Sequence, residues 1–470
     1  MKHRLINIFY FVLSVGIAKA QDSLKKISGE QVAEIVMRFH PVARQADLQI
    51  EKAKADLTIS RAGFDPTLEN TNARKTFDGT AYYNYNRPEI TIPTWFGVEV
   101  RAGLEYLSGN RTDPTDTKGE TSYIGFSVPI AKNLLMDKRR AALQTARIFR
   151  DASAVEKRNM INNLLQEALK SYWNWAACYQ SYRILSNAVS VNEKRVQLVK
   201  TAFRLGDRPA IDTAEALTQL QQFEVLQSAA WVEFQNAGLE LSLYLWTEKN
   251  QPYDLPETIV PADDLQAILS SAFVLPELTN LLDAARKNHP ELLLYNYKLD
   301  ALAVEKKLKF QELLPDLNFK YNQLGKGYNL AKTATSPLFE NNFQYGISMG
   351  IPIRLSLGRG EFRKARIKIT ETQLAQNQKQ LELENKVKAY FNELAALKNQ
   401  LLIQEKAWMN YAVLQRGEET RFSAGESSLF LVNARENKTL EAFQKLQELK
   451  AKFFKAGIGI QWAAGTLTNR

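Results

Sequence analysis

The sequence predicts an exported α+β chain that carries two copies of one helix, strand and long helical-hairpin plan. Three observations support this: an N-terminal export signal, a set of landmarks repeated in the same order in both halves, and two helical stretches of unusual length. At 470 residues, 45% apolar and 24% charged, the chain is long enough to bury a large core and too apolar for global disorder.

The signal comes first. Lys2, His3 and Arg4 form a basic start, residues 5–17 are mostly apolar, and Ala18-Lys19-Ala20 has the small-x-small cleavage pattern. Residues 1–20 are therefore read as a signal peptide and Gln21 as the mature N-terminus. The only cysteine is Cys178, so no lipidated cysteine follows the cleavage site. Beyond residue 20 no run of about 18 apolar residues occurs, so no helical span is expected. The mature chain is then either soluble or a β-barrel, the other backbone arrangement that a bilayer accepts.

The repeated plan starts with His40-Pro41 and His289-Pro290, separated by 249 residues. Each pair reads as a helix start, and each helix ends before a proline, Pro66 or Pro315, again 249 apart. Strand-like segments follow, at residues 67–77, 94–107 and 122–130 in the first half and 316–323 and 343–353 in the second. Pro129 and Pro352 close these regions, 223 apart, so the first half holds about 26 more residues there. If the flanking helices lie on one side of a membrane, the spanning strands must be even in number. Two spans per half are expected, with the surplus of the first half outside the membrane.

Long helices come next, at about residues 134–203 and 361–422. The first would be roughly 105 Å long. Apolar residues recur every three or four positions, as in Leu165, Leu169, Tyr172, Ala176, Tyr179, Tyr182 and Leu185, and in Val387, Tyr390, Leu394, Leu397 and Leu401. That is a coiled-coil-like stripe. Each helix stops at an aromatic-x-x-Gly turn, Phe203-Arg-Leu-Gly206 or Phe422-Ser-Ala-Gly425, and a return helix follows at 211–246 or 429–454. The expected units are a first repeat at 21–249, a proline-punctuated linker at 250–276 and a second repeat at 277–470.

Enzyme chemistry finds no support in the residues. One cysteine excludes an intrachain disulfide or a cysteine-based zinc cluster. His40 and His289 sit at matching helix starts, and Gly325-Lys-Gly327 and Gly358-Arg-Gly360 lack the third glycine of a dinucleotide loop. No catalytic, cofactor-binding or metal residue is expected. The formal charge is +10, falling to 58 basic against 51 acidic residues once residues 1–20 are removed. Read along the sequence this excess is diffuse, a poor indicator of nucleic-acid binding.

In this order the landmarks resemble the TolC-like outer membrane efflux protein family over essentially the whole mature chain. The segments Gly206-Asp-Arg-Pro-Ala-Ile-Asp-Thr-Ala-Glu215 and Gly425-Glu-Ser-Ser-Leu-Phe-Leu-Val-Asn-Ala-Arg-Glu436 resemble a variant common in the Bacteroidetes branch. The resemblance implies a homotrimer in the Gram-negative outer membrane, with four strands per subunit in one shared 12-stranded barrel. It also implies a periplasmic α-helical barrel of coiled-coil hairpins, with an internal duplication in each chain. Pro66, Pro129, Pro315 and Pro352 would mark the barrel–helix junctions. The turns at Phe203, Gly206, Phe422 and Gly425 would meet a periplasmic adaptor (a membrane fusion protein) and an inner-membrane pump. The implied function is a passive exit duct of a tripartite efflux pump or type I secretion system, for small molecules, metals or proteins. Independently, four strands cannot close a barrel, since small barrels need about eight, so oligomers are required if these strands span.

Many relatives narrow the pore with aspartates in the second tip turn. Here the segment from Gly425 to Glu436 has none. Asp212, Glu215, Asn433, Arg435 and Glu436 are the expected gate, a mixed network in which Arg435 pairs with an acid of the neighbouring hairpin. The alternative, a soluble periplasmic coiled-coil adaptor, explains the helices and leaves the proline-bounded strands unexplained.

Overall fold

A computed structural model describes residues 25–110, 117–262 and 275–469. The export signal lies outside the described residues. The chain opens with a short strand, β1 (Lys25–Ile27), and helix α1 (Gly29–Phe39), whose start is a capping box between Ser28 and Gln31. His40 ends α1 and caps α2 (Pro41–Ala62), its ring Nδ1 accepting the Val42 N–H at 3.2 Å. The proline supplies a fixed φ at the first helical position, where its missing N–H costs nothing.

Four strands follow α2: β2 (Thr67–Phe77), β3 (Thr80–Pro93), β4 (Glu99–Ser108) and β5 (Gly119–Pro129). Pro66 directly precedes β2 and Pro129 ends β5. The chain then turns into α3 (Lys138–Arg204) and returns along α4 (Ala210–Ser242). Residues 250–276 were expected to hold little regular structure, yet β6 (Ile259–Pro261) pairs in parallel with β1 and ties the linker to the N-terminus.

The second half begins with α5 (Leu278–Asn288) and α6 (Pro290–Gln311), joined by His289, whose Nδ1 caps Glu291 N at 3.3 Å. β7 (Asp316–Lys326), a one-turn helix α7 (Leu330–Ala334) and β8 (Phe343–Gly350) come next. Helices α8 (Ser356–Ser423) and α9 (Leu429–Ala463) form the second long hairpin. Pro315 directly precedes β7, and Pro352 lies between β8 and α8.

The sheet differs from the expectation. Six strands join in the order β2-β3-β4-β5-β7-β8, all antiparallel, the second half supplying two and the first half four. β3 was missed because Asn84, Asn86 and Pro88 read as turn residues. The fold accommodates them: β3 pairs with β4 at Asn86↔Tyr106 and resumes at Glu89↔Gly103, stepping past the proline that has no N–H to donate. The surplus of the first half is thus hydrogen-bonded into the same sheet as the other strands.

At 67 and 68 residues, α3 and α8 each span roughly 100 Å. α8 begins five residues before the expected 361, its first turns running through Gly358 and Gly360. Leu165, Leu169, Tyr172, Ala176 and Leu185 on α3 are buried, as are Val387, Leu394, Leu397 and Leu401 on α8, so both stripes face partners within the chain. The core is thickest midway along the helices. There Tyr172, Trp175, Phe234 and Leu241 join Val32 and Val36 of α1, and Trp173 stacks on Phe454 at 4.1 Å and 12°. A second cluster joins α5, α8 and α9, and a third lies at the tip between α3 and α4.

Candidate functional site

Two regions carry functional geometry, the sheet and the hairpin tips. Residues opposite each other in an antiparallel ladder share a face. Ile92, Val100, Phe126 and Tyr321 form one such row, and Tyr321 continues to Tyr345. Neighbouring rows hold Ile90, Ala102 and Ile124, and Val128, Phe319 and Ile347. One face is therefore an apolar band across five strands. Trp95 and Phe96, both exposed, lie in the β3–β4 turn at its helix-side end. Toward the other end Phe339 meets Phe343 edge-on and Phe343 stacks on Tyr345. An apolar band with an aromatic girdle at each end is the lipid-facing pattern of membrane barrels.

The opposite face is charged. Arg87 binds Glu89 at 2.9 Å, and Glu99 is bound by Arg101 at 3.1 Å and by Arg139 of α3 at 2.8 Å. Tyr123 reaches across Gly103 to donate to Glu89 and accepts from Arg87 Nε at 2.7 Å. A Cβ on Gly103 would lie 2.4 Å from that hydroxyl, so only glycine leaves the path open. The single chain's sheet is open, with β2 and β8 as its edges.

At the far end both turns are Schellman caps. Gly206 has φ 83° and Gly425 φ 79°. Gly206 N donates to Phe203 O and Asp207 N to Ala202 O, each at 3.0 Å; Gly425 N and Glu426 N repeat this with Phe422 and Arg421. Arg208, just past the first turn, crosses to the second hairpin. Its guanidinium lies 4.0 Å over the Phe422 ring and donates to the Phe422 carbonyl at 2.7 Å. Asp212 holds Arg208 from one turn along α4, at 3.8 Å.

Deeper between the hairpins lies a buried ion-pair network. Arg195 of α3 contacts Glu436 of α9 at 2.5 Å, with side chains only 13% and 8% exposed. Asn192 donates to Glu436 at 3.1 Å, and Arg195 reaches Glu419 of α8 at 3.7 Å. Asn433 is buried beside them and accepts from Arg195 at 3.4 Å. The Glu215 carboxyl is raised above its ordinary pKa, first by burial and then by Asp212, with Asn433 hydrogen-bonding against the rise.

Of the expected gate, Glu215, Asn433 and Glu436 therefore meet between the hairpins. Among the described residues, Arg435 makes no ion pair with a first-hairpin acid. It pairs with Glu418 of its own hairpin at 3.8 Å, and Ser427 donates to the same carboxylate. Arg195, Asn192 and Arg208 were missed because their cross-hairpin partners lie more than 200 residues away, and Glu418 was missed because its partners Ser427 and Arg435 meet it only once the chain reverses at the turn. A signal was available: the turn glycines are 219 apart, and superposing the halves on them places Gln219 almost opposite Asn437, which it contacts at 2.7 Å.

No protein-family model matches the sequence, and no curated protein matches it. Solved structures do. CusC, whose structures concern folding and transmembrane channel formation, aligns with TM-score 0.66 and 14% identity over 94% of this chain and 93% of its own. The CmeC outer membrane channel of Campylobacter jejuni gives 0.63 and 14%, covering 99% and 94%. The outer membrane protein VceC of Vibrio cholerae gives 0.63 and 14%, covering 93% and 96%. Across nearly the full length of each, this chain has the TolC-like outer membrane channel fold.

Proposed function

We propose that the chain is one protomer of a trimeric outer membrane exit duct, passing cargo delivered by a periplasmic adaptor and an inner-membrane pump or secretion ATPase. The observation that carries this reading is the two-faced sheet leading directly into hairpins about 100 Å long. An apolar band bounded by aromatics fits lipid, and the Arg87, Glu89, Glu99 and Arg101 face fits a wet lumen. The edges β2 and β8 run in opposite directions, so β8 of one protomer fits antiparallel beside β2 of the next. Both edges of the open sheet are left for neighbouring protomers, so a barrel closes only between protomers. The matched His-Pro caps, junction prolines and Schellman turns support an internal duplication of one ancestral unit. We place the gate at the hairpin tips, where Arg208 and the Arg195–Glu436 pair hold the two hairpins of a protomer together.

Extraction and bilayer recording test the reading. The expected result is a trimer that leaves the outer membrane only with detergent and gives single-channel conductance in planar bilayers. A monodisperse monomer soluble without detergent rejects it and returns the chain to the periplasmic adaptor class.

A further inference from the structure

The charge excess that looks diffuse along the sequence is concentrated by the fold. Residues 131–150 and 354–368 together carry 12 basic and 2 acidic side chains, while the rest of the chain from Gln21 holds 46 basic against 49 acidic. Both windows lie directly beneath the sheet, at the starts of α3 and α8. Neither helix has an acid in its first turn, and α3 opens on Lys138, Arg139 and Arg140. Cations there oppose the helix dipole, which on α3 the Asp137 cap offsets and on α8 no side-chain cap does, so an anion at the start of α8 would relieve it.

Between these helix starts and the end of α6 is a cavity of about 660 Å³. Leu308, Leu355 and Leu357 line its apolar side, and Lys132, Lys138 and Arg354 its basic side. The two acids in its wall are engaged: Asp137 caps α3 and binds Arg140 at 3.4 Å, and Glu312 binds Lys309 at 3.2 Å. Lys132, Lys138 and Arg354 have no carboxylate within ion-pair distance among the described residues. The lipid-facing side of β8, Tyr345, Ile347 and Met349, continues at alternate positions into Ile351 and Ile353, both exposed.

We propose that this cavity seats the phosphate of an anionic phospholipid of the periplasm-facing leaflet, its acyl chains lying along Ile351 and Ile353. The inference rests on the outer membrane channel reading, which sets the depth of the apolar band. A free phosphate offers the same charge without the chains, and the apolar side of the cavity together with the exposed isoleucines favours the lipid.

The test uses detergent-purified full-length trimer and native mass spectrometry, with phosphatidylglycerol and phosphatidylcholine as probes and inorganic phosphate as competitor. Wild-type protein is expected to retain phosphatidylglycerol at least tenfold better, with millimolar phosphate displacing little of it. Lys132→Gln, Lys138→Gln and Arg354→Gln combined should abolish the preference, at about fivefold per removed cation. Should that variant fail to assemble, Lys132→Gln alone is expected to weaken retention about fivefold. Equal retention of both lipids, full displacement by phosphate, or an unaffected single variant overturns the site. Conductance of the same preparation separates the two readings. A conducting trimer without lipid preference removes only the headgroup site, whereas protein that never enters a bilayer removes the duct as well.

Discussion

Replacing Arg195 with methionine should unlatch the two hairpins while leaving the barrel assembled. In the wild type the guanidinium is 13% exposed and the Glu436 side chain 8%, with Asn192 as the carboxylate's other donor. Removing the cation leaves a buried carboxylate with one neutral donor, a loss of about 3–5 kcal/mol when one partner of a buried pair is deleted. Even about 3 kcal/mol corresponds to a shift on the order of a hundredfold between latched and unlatched tips. Replacing both partners, Arg195→Met with Glu436→Met, removes the stranded charge and should recover all but about 1 kcal/mol. The assay is native-state hydrogen exchange of the tip segments in detergent-purified protein, read beside single-channel conductance. Arg195→Met should speed exchange and raise conductance, and the double variant should reverse most of both. Exchange within threefold of wild type in Arg195→Met, with unchanged conductance, would refute the latch.

Other outcomes follow from single contacts. Gly206→Val or Gly425→Val forces a branched residue to φ 83° or 79° and should cost about 1–2 kcal/mol, impairing efflux complementation with trimer yield unchanged; Gly425→Asn should be tolerated. Arg208→Ala loses its stacking on Phe422 and the 2.7 Å hydrogen bond, and conductance should rise, with Arg208→Lys failing to restore closure because an ammonium lacks the planar face. His289 is pushed down to about 4 by burial, and as α6's cap its Nδ1 must stay unprotonated to accept from Glu291. A depressed base contributes stability that is complete above pH 6.5 and lost as pH falls toward 4, here about 3 kcal/mol. His289→Asn keeps a capping oxygen without the titration, so acid unfolding curves over that window should flatten; an unchanged slope would assign the acid sensitivity elsewhere.

Local chemistry made much of this protein legible in the sequence. The Phe-x-x-Gly turns, the His-Pro caps and the junction prolines act through neighbours a few residues away, so pattern alone located them. The apolar stripes of α3 and α8 were legible for the same reason, since a period of three to four fixes one helix face. Thr67–Phe77 was found to the residue as β2. Its partner β3 was hidden, because Asn84, Asn86 and Pro88 are poor strand formers that hydrogen bonding on both sides holds extended. Contacts among the expected gate residues were legible only in part. Glu215, Asn433 and Glu436 lay near a turn the sequence announced, whereas Arg195 meets Glu436 across 241 residues and Arg435 turns to Glu418 of its own hairpin. Sequence by itself thus determined the long helices, the turns between them and the His-Pro caps, whose energetics are local. Only the tertiary structure decided the six-strand count, the pairing of buried charges and the gathering of cations beneath the sheet, because each depends on which distant segments share a face.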